Sequence, residues 1–188
     1  STMPVGELIR AFDADVPSNV REVAEGLMYR NFITVGLLLK RLKIQDRDGR
    51  GRRHIDDNWI YIQEPDVAIG RLQVFNNWSP YMVADPATTW LGLEYFCSEQ
   101  DDLWRLPDRE MIELAKTELV RLDMIDADDV LDGTVLHMPK TYPAYFGAYG
   151  RFGEIRTFLD RFSNLFLIGR NGMHKYNNQD HSMLTAMT

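Results

Sequence analysis

The chain has 188 residues, 45% of them hydrophobic and 26% charged, with a net charge of −7. That hydrophobic content excludes a disordered chain, and the charge content excludes a membrane-embedded one. The acidic balance argues against a nucleic-acid partner, and no apolar stretch approaches the ~18–20 residues needed to span a bilayer.

The predicted elements follow from apolar spacing. Val5, Leu8, Ile9 and Phe12 form a helical stripe after Pro4. Val20, Val23, Ala24, Leu27 and Met28 repeat it, with Ser18 or Asn19 as cap. Phe32 to Leu39 is a nearly continuous apolar run suited to a strand. Lys40 to His54 is a basic segment, with Lys40, Arg41, Lys43, Arg47, Arg50, Arg52 and Arg53 against Asp46 and Asp48. It reads as a solvated loop, or as a phosphate-binding or partner-docking arm. Trp59 to Ile62 and Val67 to Phe75 flank Gln63-Glu64-Pro65-Asp66 as a hairpin. Trp78 is expected in a loop at a strand end. Thr88 to Phe96 and Val130 to Met138 are further strands. Met111, Ile112, Ala115, Leu119 and Leu122 mark a helix capped near Asp108, and Ile155, Phe158, Leu159 and Phe162 mark another. Strands and helices come in runs without strict βαβ alternation. The expected fold is therefore α+β, a mixed and largely antiparallel sheet with helices packed on one face.

Near the C-terminus, Leu165 to Ile168 reads as a strand buried on both faces, followed by Gly169-Arg170 and a polar loop. Gly169 is read as admitting a close backbone approach. Asn177, Asn178 and Asp180 can cap a helix starting near His181. A helix N-terminus presents free N–H groups and partial positive charge, which suits an electron-rich ligand. The same spacing also describes a strand-loop-helix packing unit without a ligand. His174, Asp180 and His181 lack a recognised metal-ligand spacing, and no metal is expected. The lone Cys97 excludes an internal disulfide and fits a cytoplasmic location.

Asn164 to Met183 resembles the C-terminal FAD-contacting segment of the flavin-containing amine oxidase superfamily, and within it the UDP-galactopyranose mutases. In those a Tyr follows six residues, and an Asp ten residues, after a Gly-Arg; Arg170, Tyr176 and Asp180 match. Ser1-Thr2-Met3-Pro4 with Leu8-Ile9 resembles the superfamily's S-[ST]-M-P-x-x-x-L segment. Ala68-Ile69-Gly70-Arg71-Leu72 and Lys140-Thr141-Tyr142-Pro143 resemble segments that supply a substrate-facing Arg and Tyr. The family's G-x-G-x-x-G pyrophosphate fingerprint has no counterpart here. The mutases usually carry an aromatic where His174 stands and an acidic residue where Asn178 stands.

The resemblance implies a C-terminal fragment of an FAD-dependent oxidoreductase, inactive when isolated and holding FAD only with the missing N-terminal FAD-binding region. Residues 1–163 would form a substrate-domain-like region, and residues 164–188 would complete the FAD site. Gly169, Arg170, Asn178, Gln179, Asp180 and His181 would contact the cofactor. Arg71, Tyr142 and Tyr176 would line the side of a small-molecule substrate, and a sugar nucleotide fits the mutase-like alternative. A non-catalytic binding module is the reading from another class.

Overall fold

The computed structural model describes residues 1–13, 15–43 and 55–188. Most of the basic segment after Lys43 therefore lies outside the described residues. Two compact units emerge: residues 1–31 with 139–188, and residues 32–138. The segment 164–188 thus groups with both chain ends of the first unit.

In the first unit, α1 (Val5–Arg10), α2 (Ser18–Glu25) and α6 (Phe152–Leu159) pack together. Val5, Ile9, Val20, Val23, Ile155 and Phe158 form their shared core. Pro4 and Pro17 stand at the N-caps of α1 and α2, where a proline's fixed φ matches the entry and its missing N–H is no loss. Phe12 closes this core edge-on against Phe158, with ring centroids 5.7 Å apart.

The second unit is built on a five-stranded sheet in the order β2-β3-β4-β1-β5. The strands are β1 (Tyr29–Leu39), β2 (Trp59–Tyr61), β3 (Arg71–Val74), β4 (Thr89–Cys97) and β5 (Val130–Pro143). β1 and β5 each run on into the first unit. The expected hairpin is present, with Ile60 opposite Leu72 and Tyr61 opposite Arg71. β3 pairs antiparallel with β4, Arg71 facing Glu94 and Leu72 facing Leu93.

Strand alternation then sorts the two faces. Ile33, Val35, Leu37, Leu72, Leu91 and Leu93 point to one face and are fully buried. Met111, Ala115 and Leu119 of α5 (Asp108–Arg121) complete that core, and α4 (Asp102–Arg105) adds Leu103 and Trp104 to it. Asp108 and Glu110 sit in the first turn of α5, where the helix dipole favours acidic groups. Arg71, Gln73 and Glu94 fall on the opposite face. Buried Glu118 of α5 accepts from Ala68 N at 2.6 Å and from Tyr95 O–H at 3.0 Å, which anchors the approach to Arg71.

Two expectations need correction. Trp78 ends a one-turn helix, α3 (Phe75–Trp78), and meets Trp59 edge-on at 5.8 Å. Leu165 to Ile168 makes no strand buried on both faces: Phe166 is 69% exposed. Ser1 runs beside it, donating to Phe166 O and accepting from Ile168 N at 3.0 Å, and Leu165 N donates back to Phe162 O at 3.2 Å. An apolar run becomes a buried strand only if strands lie beside it, and spacing carries no word on that. No helix among the described residues is long and apolar enough to cross a membrane.

Truncating Leu93 to Ala should lower unfolding stability by roughly 2–5 kcal/mol, whereas Leu131→Ala, at a half-exposed position, should stay within about 0.5 kcal/mol. Urea unfolding of the two variants checks the assignment of the buried face.

Candidate functional site

The turn after Ile168 sets the geometry of the C-terminal segment. Gly169 has φ +73°, a conformation that L side chains rarely adopt. It opens α7 (Gly169–Gly172). The close backbone approach expected at Gly169 occurs instead at Gly172, where a Cβ would lie 2.3 Å from Ser1 O. Gly169 is required for its dihedral angle, because nothing lies nearer than 3.8 Å to its own Cβ position.

Arg170 is seated by carbonyls and rings. Its Nε donates to Asn177 O at 3.0 Å, and one terminal nitrogen donates to Thr141 O at 3.2 Å. Its guanidinium carbon lies 4.6 Å from the centre of the Tyr176 ring and 5.1 Å from that of Tyr142. Those two rings stack at 5.8 Å and 16°. Tyr176 N donates to the Tyr145 hydroxyl, which ties the loop to the segment after Tyr142. The structure therefore brings together Arg170, Tyr142 and Tyr176, three of the residues expected at a site. No carboxylate among the described residues pairs with Arg170.

The other expected residues of this segment lie at the start of α8 (Gln179–Met187). Asn178 is its N-cap: its side chain accepts from His181 N, and His181 Nδ1 accepts from Asn178 N at 3.4 Å. Gln179, Asp180 and His181 are exposed, with Asp180 Oδ1 3.1 Å from His181 Nδ1. The N–H groups of Gln179 and Asp180 belong to the first turn and have no partner within the helix. α8 buries no residue, and Met183, Leu184 and Met187 are exposed.

His174 is fully buried with φ +46°. Its ring meets Tyr29 edge-on at 4.8 Å and lies tilted over Phe152 at 5.8 Å. Nε2 lies 3.2 Å from Ala144 O. It fills an aromatic's place in the packing. Burial pushes its pKa below the ordinary value, only partly opposed by the bond to Ala144 O.

Arg71 belongs to the second unit and sits neither as an exposed surface charge nor as an unpaired cation. Its Nε donates to Glu94 Oε2 at 2.7 Å, a terminal nitrogen donates to the same oxygen, and Gln73 Nε2 donates to Oε1. Trp59 and Phe96 flank the guanidinium at 4.8 and 4.9 Å. Sequence reasoning missed Glu94 and Gln73. The visible signal was a lone acid in an otherwise apolar strand, but its partner depends on strand register.

No family model matches the chain, and no curated protein matches it. Solved structures do. A reduced UDP-galactopyranose mutase superposes with a TM-score of 0.77 at 21% identity, over 98% of this chain and 38% of that one. A protein described as a protoporphyrinogen oxidase from Exiguobacterium sp. 255-15 gives a TM-score of 0.62 at 14% identity, over 99% and 39%. The likeness is one of fold. The chain spans about two-fifths of the length of either protein.

Two outcomes follow from these geometries. Glu94→Ala takes the carboxylate away from a buried guanidinium and should destabilise the fold by roughly 3–5 kcal/mol, with most of the loss recovered in the Arg71→Met/Glu94→Leu double variant. Denaturant titrations of the single and double variants test this. His174 has a folded pKa below the unfolded value of 6.5. The unfolded chain therefore binds the extra proton first, and the related stability is complete above that value and falls as pH drops through it. Unfolding midpoints should decline from pH 7.5 to 5.5, and His174→Phe should lack this component.

Proposed function

We propose that this chain is the C-terminal part of an FAD-dependent enzyme of the amine oxidase superfamily. The supporting observation is Arg170, a cation held in place by two carbonyls and two tyrosine rings and, among the described residues, without a carboxylate partner. Holding a guanidinium without neutralising it prepares it for an anion, and its planar fork suits phosphate. Arg71 gives the contrast, since Glu94 already compensates its charge.

The residues fit one side of a flavin site. Gly169 and Arg170 would lie along it, and the capped start of α8 at Asn178, Gln179, Asp180 and His181 would offer the N–H groups of Gln179 and Asp180 to an electron-rich ring edge. Bound FAD would supply a two-electron acceptor or, once reduced, an electron-rich nitrogen. The pyrophosphate fingerprint would come from an N-terminal FAD-binding region of the same longer protein, and the isolated chain would be inactive. Tyr142 and Tyr176 would hold the substrate beside Arg170, while Arg71 would orient the open face of the sheet.

An oxidoreductase acting on a small molecule is the primary reading, because hydride transfer to flavin is the general chemistry of the superfamily. A specific observation favours the second, a mutase-like enzyme acting on a sugar nucleotide through reduced FAD. The two departures from the mutase pattern have structural employment, His174 as a buried packing ring and Asn178 as a helix cap. Neither therefore counts against a sugar-nucleotide diphosphate at Arg170.

The longer protein, saturated with FAD, should interconvert UDP-galactofuranose and UDP-galactopyranose only when pre-reduced if the second reading holds. Bleaching of the flavin by an amine or another hydride donor supports the first. Failure to take up FAD at all overturns both. Arg170→Ala should weaken binding of the phosphate-bearing ligand roughly 10- to 100-fold, and Arg170→Lys should fall between it and the native protein. Calorimetric titration with FAD and with UDP measures which ligand is affected.

A further inference from the structure

Among the described residues, the non-glycines with left-handed backbone are Asp123, Lys140 and His174, at φ +56°, +53° and +46°. Two of them end helices. After α5, Met124 N donates to Leu119 O and Asp123 N to Val120 O, both at 3.0 Å. After α7, Lys175 N donates to Arg170 O at 3.0 Å and His174 N to Asn171 O at 3.3 Å. These are the paired bonds that close a helix on a left-handed residue. Lys140 ends no helix. It lies inside β5, where extended backbone is the norm and side chains alternate between faces. A left-handed non-glycine there is costly, and it persists only where its surroundings hold it.

Both ends of Lys140 are held within the first unit. Its N donates to Oδ1 of the buried Asn31 at 2.8 Å, and its Nζ is paired with Glu7 of α1. The consequence shows in the residues that follow. From Thr134 to Met138 exposed and half-buried positions alternate, but Lys140, Thr141 and Tyr142 are half-buried in succession. A left-handed residue in a strand turns the residues after it off the strand's alternation, as a bulge does when it re-aims a side chain. The two residues after Lys140 are the ones that seat Arg170. Thr141 O accepts from its terminal nitrogen at 3.2 Å, and the Tyr142 ring lies 5.1 Å from its guanidinium carbon. Pro143 disfavours helical backbone at Tyr142, so the direction of that ring is constrained from both sides.

We propose that Lys140 is a positioning residue for Arg170. Its left-handed backbone carries the Thr141 carbonyl and the Tyr142 ring into place before any anion arrives, while its own ammonium is engaged with Glu7. A guanidinium preorganised in this way loses little freedom when a phosphate binds, which raises affinity. The effect on ligand affinity rests on reading Arg170 as the anion site; the effect on the seat does not.

NMR of the full chain with ¹⁵N-labelled arginine reads the seat, through hydrogen exchange of the Arg170 guanidinium, whose resonances Arg170→Ala identifies. Titration of the longer, FAD-loaded protein with UDP reads the consequence. Lys140→Gly removes the Glu7 pair but adopts the left-handed backbone freely, and should keep native exchange and a UDP affinity within about twofold of native. Lys140→Val resists that backbone, and should speed exchange and weaken UDP binding roughly 10-fold. If Lys140→Val fails to fold, Lys140→Asn against Lys140→Ala gives the same contrast, because asparagine enters the left-handed region readily and alanine does not. Native exchange in the Val or Ala variant, or fast exchange in the Gly and Asn variants, overturns the inference. So does an unmoved UDP affinity in Lys140→Val where Arg170→Ala lowers it. Should Arg170→Ala leave UDP affinity unchanged, the anion-site reading falls, and the exchange contrast still decides the role of Lys140.

Discussion

The seating of Arg170 is the constraint on which the C-terminal segment depends. A guanidinium pinned by the carbonyls of Thr141 and Asn177 joins two stretches that lie 29 and 7 residues from it in the chain. The stacked rings of Tyr142 and Tyr176 both lie against that cation. The left-handed backbone at Gly169 and the close passage of Ser1 over Gly172 set where the turn begins and how tightly it packs. Carbonyls orient a guanidinium without cancelling its charge. The seat therefore leaves that charge uncompensated by any carboxylate among the described residues.

The second unit handles a similar cation differently. Arg71 is held against Glu94, with Gln73 occupying the other carboxylate oxygen and Trp59 and Phe96 covering the faces. That arrangement is closed electrostatically. It gives the sheet a polar, aromatic-lined face opposite the one covered by α4 and α5, and its rigidity comes from a carboxylate that is almost wholly buried. Two arginines drawn from similar motifs thus carry different physical meanings. One is paired with a carboxylate, and among the described residues the other is not.

Much of the architecture was legible in the residues. The stripes at Val5–Phe12, Val20–Ala24, Met111–Leu119 and Ile155–Phe162 became helices, because apolar groups at three- and four-residue spacing can be buried only on one side of a helix. The hairpin around Gln63 to Asp66 formed as read. Asn178 capped the last helix, a local matter of one side chain and its neighbours. The failures were of another kind. Leu165 to Ile168 had the composition of a buried strand but lacked flanking strands, and Trp78 joined a short helix against Trp59.

The sequence by itself determined most of the helices and strands, the charge, and the presence of Gly-Arg with a tyrosine six residues on. These are properties of neighbouring residues, written into spacing and side-chain type. Only the tertiary structure decided that Arg71 meets Glu94, that Arg170 has no such partner among the described residues, and that His174 is enclosed. Each of those facts depends on which distant segments approach, and register and burial are settled by packing across the chain, which no local pattern encodes.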